Sequence, residues 1–200
     1  MMLNIVLFGA PGAGKGTQAV MLAKKHELVH LSTGDILRKE IDEDTELGKQ
    51  AQGFTSKGEL VPDELIIDII RSQIEQNAEA KGFIFDGFPR TTAQAEALDQ
   101  MLSEKEMEIT SMIALEVENE ELVNRLTKRG AISGRPDDQS MDVIRNRIDV
   151  YHQKTKPLIA YYQARGKYHP IDGIGEIMEI FERLCKHVGS YRFSYSHQGA

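Results

Sequence analysis

Tryptophan is absent from these 200 residues, and cysteine occurs once, at Cys185. A single cysteine excludes an intramolecular disulfide and any CxxC-type zinc cluster, and it fits a reducing, cytoplasmic compartment. Long hydrophobic runs are missing too. The stretch "MLNIVLFGA" has no basic leader and is far too short to span a bilayer, so neither membrane insertion nor secretion is expected. Basic residues are the minority charge. With 24 Lys and Arg against 31 Asp and Glu the formal net charge is −7, which argues against a broad nucleic-acid footprint. An anionic ligand would therefore require positive charge to be gathered locally. Six histidines, at positions 26, 30, 152, 169, 187 and 197, read as packed or surface residues; only His26 and His30 stand at HxxxH spacing.

What is present suffices for one sizeable core, since 40% of the residues are hydrophobic. Apolar, β-favouring runs at 3–8, 28–32, 82–86, 109–117 and 167–172 alternate with amphipathic stretches. Four of the five runs are near-continuously apolar, the pattern of central strands covered by helices on both faces. Helices are expected at 15–26, 34–42, 63–79, 91–104, 119–129, 140–164 with a kink near Pro157, and 175–188. The alternation predicts a doubly wound, parallel, five-stranded α/β sheet.

Two stretches interrupt the rhythm. Residues 32–61 read as short helical pieces broken by Gly48, Gly53 and Gly58, a candidate inserted lobe. Residues 129–139, "RGAISGRPDDQ", read as a surface loop or small lid. The core is expected to span 1–190, with 190–200 as a polar, aromatic tail of weak order.

The first strand runs into "GAPGAGKGT", Gly9 to Thr17. This nearly spells the phosphate-loop pattern GxxxxGK[ST], but Gly16 stands where a Mg²⁺-ligating hydroxyl belongs. Strand before and helix after are the context the motif requires. The glycines let successive backbone N–H groups and the helix N-terminus face an anion, and Lys15 adds a mobile charge. The fold class is thus of the P-loop NTPase type. Asp86 closes the strand "GFIFD", at the end of the sheet that faces the ligand crevice, where its carboxylate suits Mg²⁺ directly or through water; helix capping is the other reading. Arg38, Arg90, Arg129, Arg135 and Arg147 sit where lobes and strand ends would converge. Guanidinium groups bind phosphate bidentately, so this many suggests more phosphate than one nucleotide brings.

Six motifs in order, "GAPGAGKGT", "LSTGDILR", "GELVP", "FDGFPRTTAQ", "KRGAISGRPDD" and "VIRNRIDVYHQKTKPLIAYY", resemble the nucleoside monophosphate kinases, and among them the adenylate kinases of the short-lid form. The likeness covers residues 3 to about 188. It implies a monomeric phosphotransferase acting on ATP, AMP and ADP with Mg²⁺ and without structural zinc. It also implies a monophosphate-binding lobe at 32–61 and a lid at 128–138.

Residue by residue, the resemblance assigns ATP phosphates to Gly12, Ala13, Gly14, Lys15, Gly16 and Thr17. The ATP purine falls to Arg125 and the backbone of Gly175, and the phosphate clamp to Arg129. AMP falls to Thr33, Arg38, Glu59, Leu60, Val61, Gly87, Phe88, Pro89, Arg90 and Gln94, with Arg135 and Arg147 reaching from the lid side. Lys15, Arg90, Arg129, Arg135 and Arg147 become the catalytic charges, and Asp137 and Asp138 the pair anchoring the closed lid. Thr33 and the long amide of Gln94 favour adenine over a pyrimidine. The proline of "GRPDD" and Asn146 before Arg147 depart from the family's usual pattern.

Three alternatives stay open on the sequence. A UMP/CMP or guanylate kinase would share the fold. A regulatory GTPase would need NKxD, and no asparagine here is followed by lysine. A nucleotide binder without turnover would be expected to lack some of these cations.

Overall fold

A computed structural model of the chain describes residues 2–196, with side chains through Tyr191. Five strands form one parallel sheet: β1 (Ile5–Phe8), β2 (Val29–Ser32), β3 (Phe83–Asp86), β4 (Ser111–Glu116) and β5 (Tyr168–Asp172). Their spatial order is β2-β3-β1-β4-β5, so β1 is central and the chain leaves it first to one side and later to the other. That is the strand order of a switch point, where loops at the carboxyl ends separate and open a crevice.

Continuous apolarity in the strands follows from burial on both faces. In β1, Ile5 and Leu7 enter one core together with Leu22, Leu126, Ile148 and Leu184. Val6 and Phe8 enter the other, with Ile70, Phe85, Leu98 and Tyr162. The period of two along a strand splits one tetrapeptide between two cores. Each fully buried side chain of this kind contributes about 1.5–3 kcal/mol.

Nine α-helices surround the sheet among the described residues: α1 (Lys15–His26), α2 (Thr33–Asp42), α3 (Glu46–Thr55), α4 (Asp63–Gln76), α5 (Thr92–Ser103), α6 (Asn119–Ser133), α7 (Met141–Val150), α8 (Leu158–Gln163) and α9 (Ile177–Ser196). Two expectations need correction. Gly48 and Gly53 do not break residues 32–61 but lie inside α3. Gly48 is there because α2 runs against it: a Cβ at that position would lie 2.1 Å from the Glu40 carbonyl oxygen. Half of the expected 129–139 loop is helix. α6 continues through Gly130, which lacks the Cβ that would collide with the Asp138 carbonyl at 2.3 Å, and stops at Gly134 in the left-handed region with φ 64°. A short 3₁₀ turn, Pro136–Asp138, completes the segment.

The kink expected near Pro157 within 140–164 is present: Tyr151–Thr155 form a widened π turn closed by the Lys156 N–H on the Tyr151 carbonyl at 2.8 Å, and α8 starts after Pro157. Proline cannot donate to the helical ladder, and the wider turn takes up the mismatch ahead of it. At the C-terminus, α9 carries the backbone past 190 to Ser196; the remainder of the expected tail, 197–200, lies outside the described residues, as does His197.

Candidate active site

The carboxyl ends of β1, β2 and β3 open into a cleft of about 480 Å³. Register sets its floor. Leu7 pairs with Asp86 across β1 and β3, and Ser32 pairs with the same Asp86 across β2 and β3, so three chain turns leave the sheet side by side. The loop after β1 carries Lys15, the turn after β2 carries Thr33, and the turn after β3 carries Gly87 to Arg90.

Gly14 caps α1 at φ 93°, a conformation only glycine adopts freely, so the loop passes directly into the helix N-terminus. Lys15 Nζ donates to the carbonyls of Gly9 at 2.8 Å and Ala10 at 3.0 Å. Thr17 is exposed on the first turn. A Cβ added to Gly16 would lie 3.4 Å from Asp86 Oδ2, so Asp86 stands next to the position from which the hydroxyl is missing. Asp86 also faces His30, with Nε2 to Oδ2 at 3.4 Å. No group of three or more His, Cys, Asp or Glu side chains converges on a metal-sized space among the described residues.

After β3 the chain turns at Gly87, φ 76°. Its carbonyl accepts from the Thr33 hydroxyl at 2.9 Å and from Arg90 Nε at 2.7 Å, so one backbone oxygen holds two side chains expected to meet the same ligand. A Cβ on Gly87 would sit 2.9 Å from both of them. Gln94, whose backbone N–H is capped by Thr91, lies just behind at the start of α5.

Arginines from further along the chain close the cleft. Asp138 has a side chain with 0% exposure and accepts Arg129 Nε at 2.6 Å and Nη2 at 3.1 Å. Its Oδ1 also accepts Arg147 Nη1 at 2.5 Å, and Asp137 Oδ2 lies 2.9 Å from that same nitrogen. The aspartate pair thus holds two arginines from α6 and α7 in fixed positions. Arg38 pairs with Asp35 at 2.5 Å, and Arg135 lines the cleft beside the 3₁₀ turn.

Electrostatics records how closely these cations are gathered. Lys15 is lowered to about 8, chiefly by withdrawal from water; Asp86 opposes the shift, while Arg90, Arg147 and Arg129 add to it. Arg90 is lowered to about 10 by burial and then by Arg147. Arg135 is lowered by burial and by Arg38 and Arg129. Like charges crowd only where something else gains from their being together, and a perturbed set of this kind in a cleft marks a functional site. A chain with net charge −7 has gathered these six cations around one cleft.

Most of the expected site residues come together here: Lys15, Thr33, Arg38, Glu59 to Val61, Gly87 to Arg90, Gln94, Arg135, Asp137 and Arg147 all line the one cleft. Arg125 and Gly175 are not among the residues lining it. Arg125 Nη1 donates to the Gly173 carbonyl at 3.1 Å, and Nε is held by Glu121 at 2.7 Å. The sequence reading passed over Asp35, Asp63, Leu37 and Tyr151. Asp35 and Asp63 each sit in the first turn of a helix, where an acidic residue reads as a favourable dipole partner and nothing more. Leu37 and Tyr151 carry the periodicity of core residues, and the cleft takes its apolar wall from them.

Comparison with known proteins points the same way as the geometry. The family model described as Adenylate kinase matches residues 7–167. A protein named adenylate kinase from Flavobacterium psychrophilum is 55% identical over 185 residues, covering 92% of this chain and 97% of that protein. One from Parabacteroides distasonis is 50% identical over 191 residues, covering 96% and 100%. Another, from Bacteroides fragilis, is 52% identical over 187 residues, covering 94% and 98%.

Proposed function

Because the chain belongs to the adenylate kinase family, we propose that its cleft catalyses reversible transfer of the terminal phosphoryl group of MgATP to AMP, giving two ADP. The observation that carries this reading is the gathering of Lys15, Arg90, Arg129, Arg135 and Arg147 from separate elements around one phosphate loop, with Lys15 and Arg90 depressed by burial and by their neighbours.

The reaction asks for no nucleophile from the protein. The AMP phosphate has a second pKa near 6, so at neutral pH it is largely a dianion. One of its oxygens attacks the γ-phosphorus in line, the bond from that phosphorus to the β,γ-bridging oxygen breaks, and ADP carries away the electron pair. Charge spread over the transferring oxygens is met by groups already in position, which is where most of the rate enhancement originates. Gly12 to Thr17 hold the ATP phosphates through backbone N–H groups, with Lys15 swinging from its own loop carbonyls to the phosphate. Arg125 and the Gly175 backbone flank the ATP purine, and Arg129 clamps its phosphates. Thr33, Arg38, Glu59 to Val61, Gly87 to Arg90 and Gln94 receive AMP, with Arg135 and Arg147 reaching both phosphate chains.

Mg²⁺ enters as part of the MgATP substrate. The residues present suit a hard cation that keeps its waters: one nearly buried carboxylate, Asp86, stands beside the loop, and Gly16 offers no hydroxyl. On this reading ATP oxygens and water hold the ion, Asp86 acts through a water, and Thr17 turns to phosphate. A crystal structure with MgATP tests the point, since a Thr17 oxygen bonded to the metal would overturn it.

Water must be excluded, or ATP would be hydrolysed. We assign that task to the lobe at 32–61 and the lid at 128–138, moving over the substrates on the core. Among the described residues no helix is long and apolar enough to cross a membrane. From the family's character we place the protein in the cytoplasm as a monomer. A coupled assay of ADP formed from ATP with AMP, CMP, UMP and GMP tests the substrate directly. AMP is expected to be preferred; a preference for CMP or UMP would instead favour a UMP/CMP kinase. Competitive inhibition by two adenosines joined through five phosphates is expected if the two sites face each other.

A further inference from the structure

Gln94 is 2% exposed, and both ends of its amide are held by the protein. Oε1 accepts from the Arg90 N–H at 2.7 Å, and Nε2 donates to Asp63 Oδ1 at 2.8 Å. The other oxygen of Asp63 accepts from the Thr91 hydroxyl at 2.7 Å, which holds the carboxylate turned toward Gln94. A backbone N–H can only donate, and a carboxylate can only accept. An amide turned over would set its NH₂ against the Arg90 N–H and its carbonyl against Asp63. One polarity survives, leaving one lone pair on Oε1 and one hydrogen on Nε2 for a ligand.

We propose that Asp63 is a specificity-determining positioning residue: by holding Gln94 Nε2 it fixes the direction in which the amide reads the base, selecting a 6-amino purine over a 6-oxo purine. The inference rests on reading this end of the cleft as the monophosphate's base site. Adenine presents an N6–H donor beside the N1 acceptor. Hypoxanthine presents the inverse, an O6 acceptor beside an N1–H donor. A freely rotating amide serves either base by turning over, whereas a held one serves the first and sets lone pair against lone pair with the second. Sites that hold buried polar groups in one arrangement reject the mismatched analogue strongly, because the mismatched groups are left unpaired.

Asp63 is also the first residue of α4, where a negative charge favours the helix. The experiment separates the two roles. With saturating ATP, kcat and KM are measured for AMP and for IMP, and with saturating AMP the KM for ATP, in the unmodified protein, Asp63→Ala, Asp63→Asn and Thr91→Val. Asp63→Ala is expected to reduce the AMP-to-IMP ratio of kcat/KM by about ten-fold or more through a higher KM for AMP, with the KM for ATP unchanged. Asp63→Asn keeps an oxygen that can accept from Gln94 Nε2 and is expected to recover most of the ratio. Thr91→Val, which frees the carboxylate to turn, is expected to show a smaller loss. An unmodified preference for AMP that persists undiminished in Asp63→Ala overturns the proposal alone, as does an equal loss in Asp63→Asn. If the unmodified protein forms no ADP from AMP, the reading of the site itself falls.

Discussion

On the proposed function, the phosphate loop and the arginine knot meet the same kind of charge by different means. The loop is nine consecutive residues, Gly9 to Thr17, whose binding groups are mostly backbone N–H, and its one cation is tethered to carbonyls of the same loop. The knot joins α6, a 3₁₀ turn and α7, and its binding groups are side chains held by a carboxylate with no exposure to water. A backbone cradle tolerates changes that leave its conformation alone. A knot of buried charges does not, since removing one member leaves the others unpaired in a poorly solvated place. Asp138 offsets part of the positive charge of Arg129 and Arg147, yet it fixes their rotamers before substrate arrives, which lowers the entropy lost on binding.

The largest expected effect comes from removing the loop's own cation or the buried arginine of the turn after β3. Arg90→Ala or Lys15→Ala should lower kcat by about 10²–10⁴-fold with an unchanged circular dichroism spectrum, the scale of losing a charge that meets the transition state. Near-normal ADP formation by either purified variant would refute their assignment. Next comes Asp138→Ala, which should destabilise the fold by about 3 kcal/mol and lower Tm by roughly 10 °C in a thermal melt. It should also lower kcat/KM, because the two guanidinium groups lose their fixed positions. A melt superimposable on that of the parent would mean that the knot holds nothing, and the contrast with the loop would be lost.

A smaller effect concerns pH. Lys15 in the free protein is lowered to about 8, so the fraction carrying the ammonium charge falls as pH rises through that value. The kcat/KM for ATP should fall over the same range, since it reports the free enzyme. The kcat should hold to higher pH, because bound phosphate favours the protonated amine. Parallel profiles for the two parameters would contradict this. The smallest effect is expected from Gly16→Ser. Its Cβ would meet Asp86 Oδ2 at an ordinary 3.4 Å. Activity should stay within about ten-fold of the parent, as an added hydroxyl leaves the backbone cradle in place. A loss comparable to that of Lys15→Ala would show that the loop is less tolerant than its backbone chemistry implies.

Legibility followed sequence distance. Strands such as β1 and β3 were readable because burial on both faces leaves an uninterrupted apolar run, and Ile5 to Phe8 needed no knowledge of what covered them. Glycines were read less well. Gly48 and Gly130 looked like breaks because local propensity disfavours them in helices, but each marks a place where another segment's carbonyl approaches too closely for a Cβ. Nothing near either residue in the chain announces that neighbour. Asp63 was passed over for the same reason: its partner, Gln94, is 31 residues away.

Sequence alone established the parallel α/β layering and the glycine-rich turn from β1 into α1, because both arise from short-range causes: two-residue alternation, glycine conformations and a helix start directly after a strand. It also supplied an inventory of cations without their arrangement. Folding decided that Asp138 would hold Arg129 and Arg147 together, that Asp86 would stand beside the missing hydroxyl of Gly16, and that Gln94 would face the cleft in one polarity. Those outcomes depend on charges and hydrogen-bonding groups from distant segments meeting where water is scarce, and such meetings exist only once the two cores have packed against the sheet.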